Sequence, residues 1–434
     1  MNKIIFLFLV LILTTECSLN KNSKFWTSSK NIDEDINLTK SKIILNESVV
    51  EKEFNPNLKI RFVSSITKNN LSGSFYNNLG RLNFDKSLNK SSRFKFSKIK
   101  NFYQFEPEIS SYNDNLIFFD NQGSILRFDS ESNLVWKKNY YTKTEKKLKP
   151  ILQFSNNGKY LVVADNITKY YILDIETGEL LWIKSNLAPF NSQIKIYKDK
   201  FFIVDLSNTL RCFSLTDGEE LWSIKTEDSL IKSQKKLSMI IVKEKLIFNN
   251  SIGDISAADI NNGELLWQLP TQSSSIYESS FSLETSEIIT DGKTLYFSNN
   301  KNQLFAISID TASFAWENKV NSNLRSTLIE NYLFSISLEG FLFVTDVNSG
   351  NIIRITDIFN NFKSKNRLEI KPTGFVIGTN KIYVSTDNGK LLVVDTSSGK
   401  TISILKIDNE KISQPFIINE DLFVIKDNAI IKLN

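Results

Sequence analysis

Asp174-Ile175-Glu176-Thr177-Gly178-Glu179-Leu180-Leu181-Trp182 returns downstream as Asp259-Ile260-Asn261-Asn262-Gly263-Glu264-Leu265-Leu266-Trp267. Between them stands a third copy, Ser214-Leu215-Thr216-Asp217-Gly218-Glu219-Glu220-Leu221-Trp222. Weaker copies keep the spacing: Ser308, Ala312 and Trp316; Asp346, Gly350 and Arg354; Asp395, Gly399 and Ser403. Asp129, Asn133 and Trp136 form a copy one residue shorter. The glycine-equivalent positions 133, 178, 218, 263, 312, 350 and 399 advance in steps of 38 to 49 residues. A step of that size is one four-stranded propeller blade. The frame has a turn mechanism, in which Asp accepts from the backbone N–H groups just ahead and Gly supplies the positive φ that reverses the chain. The large residue four positions later opens the next strand and wedges against the neighbouring blade.

Outward from the frame, each step holds short β-rich runs split by Asn, Asp and Gly, such as residues 201–205, 210–214 and 220–224, and again 381–385, 390–395 and 401–405. These runs show no helical period. Seven frame turns give seven complete units. Residues 415–418, 422–426 and 429–433 add three strands, and an eighth blade then lacks its fourth. Residues 92–99, Ser-Arg-Phe-Lys-Phe-Ser-Lys-Ile, alternate apolar and polar as a strand does. The expected fold is all-β: an eight-bladed β-propeller of four-stranded antiparallel blades over residues 91–434, closed by this N-terminal strand joining the C-terminal blade, which removes two open sheet edges.

The 434 residues carry 53 Lys and Arg, 48 Asp and Glu and no His, with 41% hydrophobic and 23% charged residues. The lack of histidine excludes Ser-His-Asp and Cys-His nucleophile arrangements and imidazole metal sites. Two cysteines, Cys17 and Cys212, cannot form a zinc cluster. A net charge of +5 gives no argument for nucleic acid as a partner. Gly123, Gly158 and Gly253 are isolated in turn contexts, so no phosphate-cradling loop is present. The Gly-His and Trp-Asp signatures of WD-type propellers are absent.

Residues 1–17 read as an export signal. Lys3 precedes the apolar run 4–13, which ends in Thr14-Thr15-Glu16-Cys17. As a helix the run would cover about 15 Å, roughly half a bilayer core, too short for a stable span. Residues 18–90, rich in Asn, Ser and Lys, read as a tether and pre-propeller segment with little core of its own, and residues 58–63 as an edge strand.

The repeated frame resembles the PQQ-like propeller repeat. With the leader, it is similar to the propeller lipoproteins of the outer-membrane β-barrel assembly machinery, the BamB family. Asn101-Phe102-Tyr103, Glu106-Pro107-Glu108-Ile109 and Leu126-Arg127-Phe128-Asp129 follow that family's approach to its first blade, and Ser72-Gly73-Ser74-Phe75-Tyr76-Asn77-Asn78 resembles the segment before the propeller in its alphaproteobacterial branch. The resemblance covers roughly residues 70–434. It implies lipidation at Cys17 and a site on the periplasmic face of the outer membrane, a soluble periplasmic protein being the alternative. It implies a non-enzymatic scaffold that binds the POTRA domains of BamA and other subunits of the machinery, with unfolded outer-membrane proteins as a further class of partner. The family contact lies on loops between consecutive blades. In chain order these are residues 229–236, where Leu230, Ile231 and Lys232 stand at the exposed Leu and Arg positions, and the stretch with Ser282 and Glu284 at two acidic positions. Lys232 for Arg and Ser282 for an acid are departures from the family pattern.

The enzymatic alternative is a periplasmic PQQ-like quinoprotein, and a third reading is a propeller docking another envelope partner. Quinoprotein dehydrogenases as a family hold their quinone against a Trp, beneath a disulfide of adjacent cysteines, with a calcium ion. This chain has no adjacent cysteines. Trp182, Trp222, Trp267 and Trp316 occupy the structural blade position, and Asp174 and Asp259 form turns. No catalytic residue, cofactor or metal ligand is assigned, and Cys212 reads as a small buried apolar residue.

Overall fold

The computed structural model describes residues 52–63, 80–227, 233, 235–271 and 283–434. Cys17, residues 72–78, Leu230, Ile231, Lys232 and Ser282 lie outside the described residues. The described chain from Lys90 onward forms eight four-stranded sheets. Blades 1 to 8 span residues 110–138, 152–185, 195–225, 239–269, 289–318, 327–357, 372–406 and 416–433. Neighbours within each blade run antiparallel in sequence order. First strands of adjacent blades touch one another, as in blades 1 and 2, 2 and 3, 3 and 4, and 7 and 8, so these strands are innermost. The two middle strands are buried on both faces and read as near-continuous apolar runs, whereas outer strands such as Leu180–Ser185 alternate.

The ring is an eight-bladed β-propeller, and it closes as the sequence predicts. Blade 8 has three strands of its own, and its outermost is Lys90–Lys95, antiparallel to Ala429–Leu433 with Phe94 opposite Ile430. The strand starts two residues earlier than its alternating pattern and stops at Lys95. Phe96 and Ile99 continue the pairing through backbone bonds to Asn428 and Asp427. Phe94 is buried with its ring 5.8 Å from Phe128 of blade 1 and 6.1 Å from Phe423 of blade 8. One apolar cluster thus runs through blades 8, 1 and 2.

Residues ahead of this strand also enter the core. Phe54 forms a two-way backbone bridge with Ile355, and Ile60 N–H donates to Ser397 O at 2.9 Å. Residues 58–63 therefore touch a sheet by single bonds and form no strand. Ile60 joins the blade 6–7 cluster, while Leu82 and Phe84 join the blade 7–8 cluster. Short apolar pieces in a polar stretch are enough, because each fills one gap between blades already built.

The frame turns act as predicted. Asp174 Oδ1 accepts from the N–H groups of Glu176 and Thr177, and Gly178 turns at φ +71°. In the shortened first copy the left-handed residue is Ser132, one position before Asn133. In blades 1 to 7 a bulge skips the residue just before the wedge position: Val135, Leu181, Leu221, Leu266, Ala315, Ile353 and Ile402. Each bulge re-aims the following side chain toward the next blade. Trp136 lies against Gly178, Trp182 against Gly218, Trp222 against Gly263 and Trp316 against Gly350, so close that a Cβ on any of these glycines would stand 2.5–2.9 Å from the indole. Their Nε1 atoms donate to turn carbonyls of Glu176, Leu215, Asn261 and Val347 at 2.8–3.1 Å.

The other four joints depart from the rule, those after blades 4 and 6 as follows. The turn facing Trp267 carries Ala312 at φ +50° in place of Gly, and the Trp267 Nε1 has no hydrogen-bond partner. Arg354 takes the wedge position of blade 6, fully buried, and donates to the carbonyls of Thr396 and Ser397 in the next blade and of Leu58.

Opposite substitutions at two of these turns should have opposite signs. Gly218→Ala meets the Trp182 ring at 2.6 Å in a left-handed conformation, and should cost about 2–4 kcal/mol by overpacking and backbone strain. Ala312→Gly relieves a left-handed alanine and should gain up to about 1 kcal/mol. Urea midpoints of the two variants measure both effects, and a shift in the same direction would refute the wedge account.

Candidate functional site

The innermost strands surround a cavity of about 190 Å³, lined by every blade except the seventh. Its charged residues stand at, or two to four positions before, the start of a first strand: Glu106 and Glu108 (blade 1), Lys195 (blade 3), Lys236 (blade 4), Glu287 (blade 5) and Arg325 (blade 6). Lys235, Glu284 and Lys411 stand directly behind them. Blade geometry thus carries residues far apart in sequence to one mouth on the axis.

The pairs are specific. Lys411 Nζ lies 3.4 Å from Glu106 Oε2, while Glu106 Oε1 accepts from the Gln414 N–H at 2.6 Å. Lys236 pairs with Glu108 at 3.4 Å and Arg325 Nη1 with Glu287 at 3.1 Å. Lys235 donates to Asn323 O, and the Asn323 amide donates to Glu284. These side chains are enclosed by protein yet face the cavity, Lys236 and Arg325 remaining 16% and 19% exposed.

The electrostatics follow from enclosure. Burial would raise the Glu287 carboxyl, but Arg325, Lys236, Lys195 and Lys235 overcome it and hold its pKa at about 2. Burial pulls Lys235 down to about 8 against the attraction of Glu284, Glu106 and Glu287, and lowers Lys195 against Glu108 and Glu287. Burial also raises the Glu106 carboxyl despite Lys411. Taking charges out of water costs several kcal/mol per ion, and a well-packed apolar set of similar volume would hold the ring as well. The mouth is therefore the place where this fold departs from its own apolar rule.

The residues expected on the two partner loops meet here in part. Ser233 Oγ donates to Leu283 O at 2.5 Å, tying the end of the first loop to the second. Lys235 and Lys236, from the first loop, face the axial charges, and Glu284 of the second loop is half-buried among them. The axial cluster itself was not visible in the sequence. Its signal is a charge shortly before each first strand, hidden in a chain where lysine is frequent everywhere.

The mouth does not fit a pyrroloquinoline quinone with its metal. The five described tryptophans stand on outer strands, with the indole N–H groups of four bound to neighbouring turns. No group of three or more Cys, Asp or Glu among the described residues could hold a metal ion. Cys212 is buried in the core between blades 3 and 4, and burial pushes its thiol up to about 12.

Glu287 makes the mouth acid-sensitive. Between about 4.5 and 2 the unfolded chain binds a proton on this carboxyl that the folded chain does not. Stability therefore rises with pH across that window and is lost as pH falls through it. Glu287→Gln should cost about 3–5 kcal/mol at pH 7, because Arg325 loses its carboxylate, and should flatten the acid limb. Chemical denaturation from pH 2 to 7 checks both, and an unchanged acid limb would remove Glu287 from the account.

A family profile described as outer membrane protein assembly factor BamB matches residues 121–356. The outer membrane protein assembly factor BamB of Moranella endobia is 20% identical over 277 residues, 63% of this chain and 69% of that one. The quinoprotein alcohol dehydrogenase PedH of Pseudomonas putida is 24% identical over 155 residues, 29% of this chain and 26% of that one. Matches to three bacterial relatives, two of them assembly factors BamB and one an uncharacterized protein of Rickettsia prowazekii, span 57–69% of their lengths. Among solved structures, BamB of Moraxella catarrhalis superposes with a TM-score of 0.64 at 15% identity, covering 80% of this chain and 99% of that one, which shows a shared propeller fold. With its profile match extending over more than half of the sequence, this chain belongs to the BamB family of PQQ-repeat propellers.

Proposed function

We propose that the protein is a non-enzymatic scaffold of outer-membrane protein assembly, working in the cell envelope and docking the POTRA domains of BamA on the face that carries the axial mouth. The observation that carries this reading is the Ser233–Leu283 hydrogen bond, which ties the loop before blade 4 to the loop before blade 5. A link between the described ends of two neighbouring loops, on a rigid ring, suits a docking site. Lys235, Lys236 and Glu284 stiffen their bases through the axial charges. The other subunits of the machinery and unfolded outer-membrane proteins are further partners on this reading.

The absence of an axial tryptophan and of a metal-holding group among the described residues supports scaffolding over quinone chemistry. The match to a quinoprotein alcohol dehydrogenase covers too little of either chain to weigh against this.

Leu230→Asp combined with Ile231→Asp should leave the circular dichroism spectrum unchanged and weaken BamA binding by at least ~2 kcal/mol, about thirtyfold. Lys232→Ala should cost less, because a single rim charge is screened. Unaltered co-purification of BamA with the folded double mutant would show that the loops are not the docking surface.

On this reading the ring is held at the periplasmic face of the outer membrane by a lipid on Cys17, residues 18–51 giving it reach. Intact-mass measurement of the mature protein should find acyl chains on Cys17, and Cys17→Ser should abolish them and release the protein from membranes. A mature chain without acyl mass would refute the anchor.

A further inference from the structure

The axial mouth holds more donors than its own acceptors engage. Among the described residues five cations, Lys195, Lys235, Lys236, Arg325 and Lys411, face four carboxylates, Glu106, Glu108, Glu284 and Glu287. Three of the cations are paired with carboxylates, and Lys235 is bound to a carbonyl. Among the described residues the Lys195 ammonium meets no hydrogen-bond or ion-pair partner, and it lies close enough to Arg325 for the two cations to repel. The Arg325 Nε is buried and has no partner. Glu108 and Glu287, the carboxylates acting on Lys195, also pair with Lys236 and with Arg325 Nη1, so Lys195 shares their charge. Beside the Lys195 ammonium, Met239, Ile240 and Ile288 line the same cavity.

A cation that lines a cavity without an ion pair of its own is free to take an anion through a charge-assisted hydrogen bond. We propose that the mouth binds a small carboxylate, with its oxygens on Lys195 Nζ and its apolar body against Met239, Ile240 and Ile288. The charge count selects the class. Among the described residues one negative charge cancels the excess of one positive, a dianion overshoots it, and a cation is repelled. An ammonium beside an apolar wall orients a carboxylate as ligand pockets commonly do. Such a group reaches the mouth either as a free aliphatic acid or as the C-terminus of a peptide. Filling the site also stiffens the bases of the adjoining loops, because Lys236 joins the pocket wall to the loop 229–236.

Calorimetric titration of the purified chain tests this with four probes: hexanoate, hexylamine, and a tripeptide ending in Leu with either a free or an amidated C-terminus. Hexanoate should bind saturably and hexylamine should not, a comparison that needs no variant. A free-acid tripeptide binding more tightly than hexanoate, with the amide silent, identifies a chain terminus as the occupant. Equal or weaker binding identifies a free acid. Lys195→Met, which removes an unpaired cation and should fold, weakens carboxylate binding about tenfold or more, while Lys143→Met on the outer helix Lys143–Lys147 leaves it unchanged. Binding should also fall as pH rises and Lys195 loses its proton. Absence of saturable binding by either acid, or undiminished binding by folded Lys195→Met, overturns the proposal. BamA binding is a separate assay, so loss of the docking reading leaves this result interpretable.

Discussion

An indole lying on a turn that has no Cβ is the contact on which the ring depends. Each such contact joins two blades at their outer edge, where the sheets diverge and apolar packing alone would thin out. It combines a large apolar face, a hydrogen bond to a turn carbonyl and a positive-φ glycine in one place. The contact also fixes the relative rotation of neighbouring blades, since the bulge before each tryptophan lets the side chain point only at the next turn. Repetition then settles the blade number, because a fixed angle per joint leaves one closed solution. The joints that lack the pair are mended by other means. Arg354 replaces indole packing with hydrogen bonds to three backbone carbonyls, one of them on the strap before the propeller. The strap is thereby attached where the standard wedge is missing.

Closure by Lys90–Lys95 solves a different problem. A blade completed only by residues 416–433 would leave its outer edge unpaired next to blade 1. Supplying that edge from the N-terminal side makes ring formation non-local, since Phe94 bonds to strands more than 300 residues away while packing on Phe128 nearby. Pairing of this kind has a high loop-closure cost and comes late in folding. The same arrangement leaves the segment before the strand free to lie over blades 6 to 8, where Ile60, Leu82 and Phe84 are buried.

The fold was legible because its determinants are local and repeated. Asp174, Gly178 and Trp182 each act within one turn or one joint, so their spacing survives in the sequence. Ser132 shows the limit, since a one-residue deletion moves the left-handed position without changing residue type in a telling way. The strap was not legible. Leu82 and Phe84 sit in a polar stretch with no period, and their burial depends on gaps made by blades 7 and 8. The axial cluster was hidden for a related reason. Lys195, Glu287 and Arg325 look like ordinary surface charges until the ring brings them together.

That convergence explains how charges can be held in a fold that otherwise excludes them. Each first strand is clamped between two apolar interfaces, so its leading residues have no freedom to swing outward into bulk water. A lysine at such a position must find a partner in the mouth or remain incomplete. Most find one: Lys236 on Glu108, Lys411 on Glu106, Lys235 on Asn323 and its neighbour Glu284. The arrangement is stiff because every pair spans different blades, and moving one partner requires shifting a whole sheet. Electrostatic order at the axis and mechanical order at the rim are therefore the same property seen at two radii. The wedges hold the blades at fixed angles, and fixed angles keep the axial charges at separations where opposite signs meet. Lys235 and Lys236, held by these partners, share that rigidity.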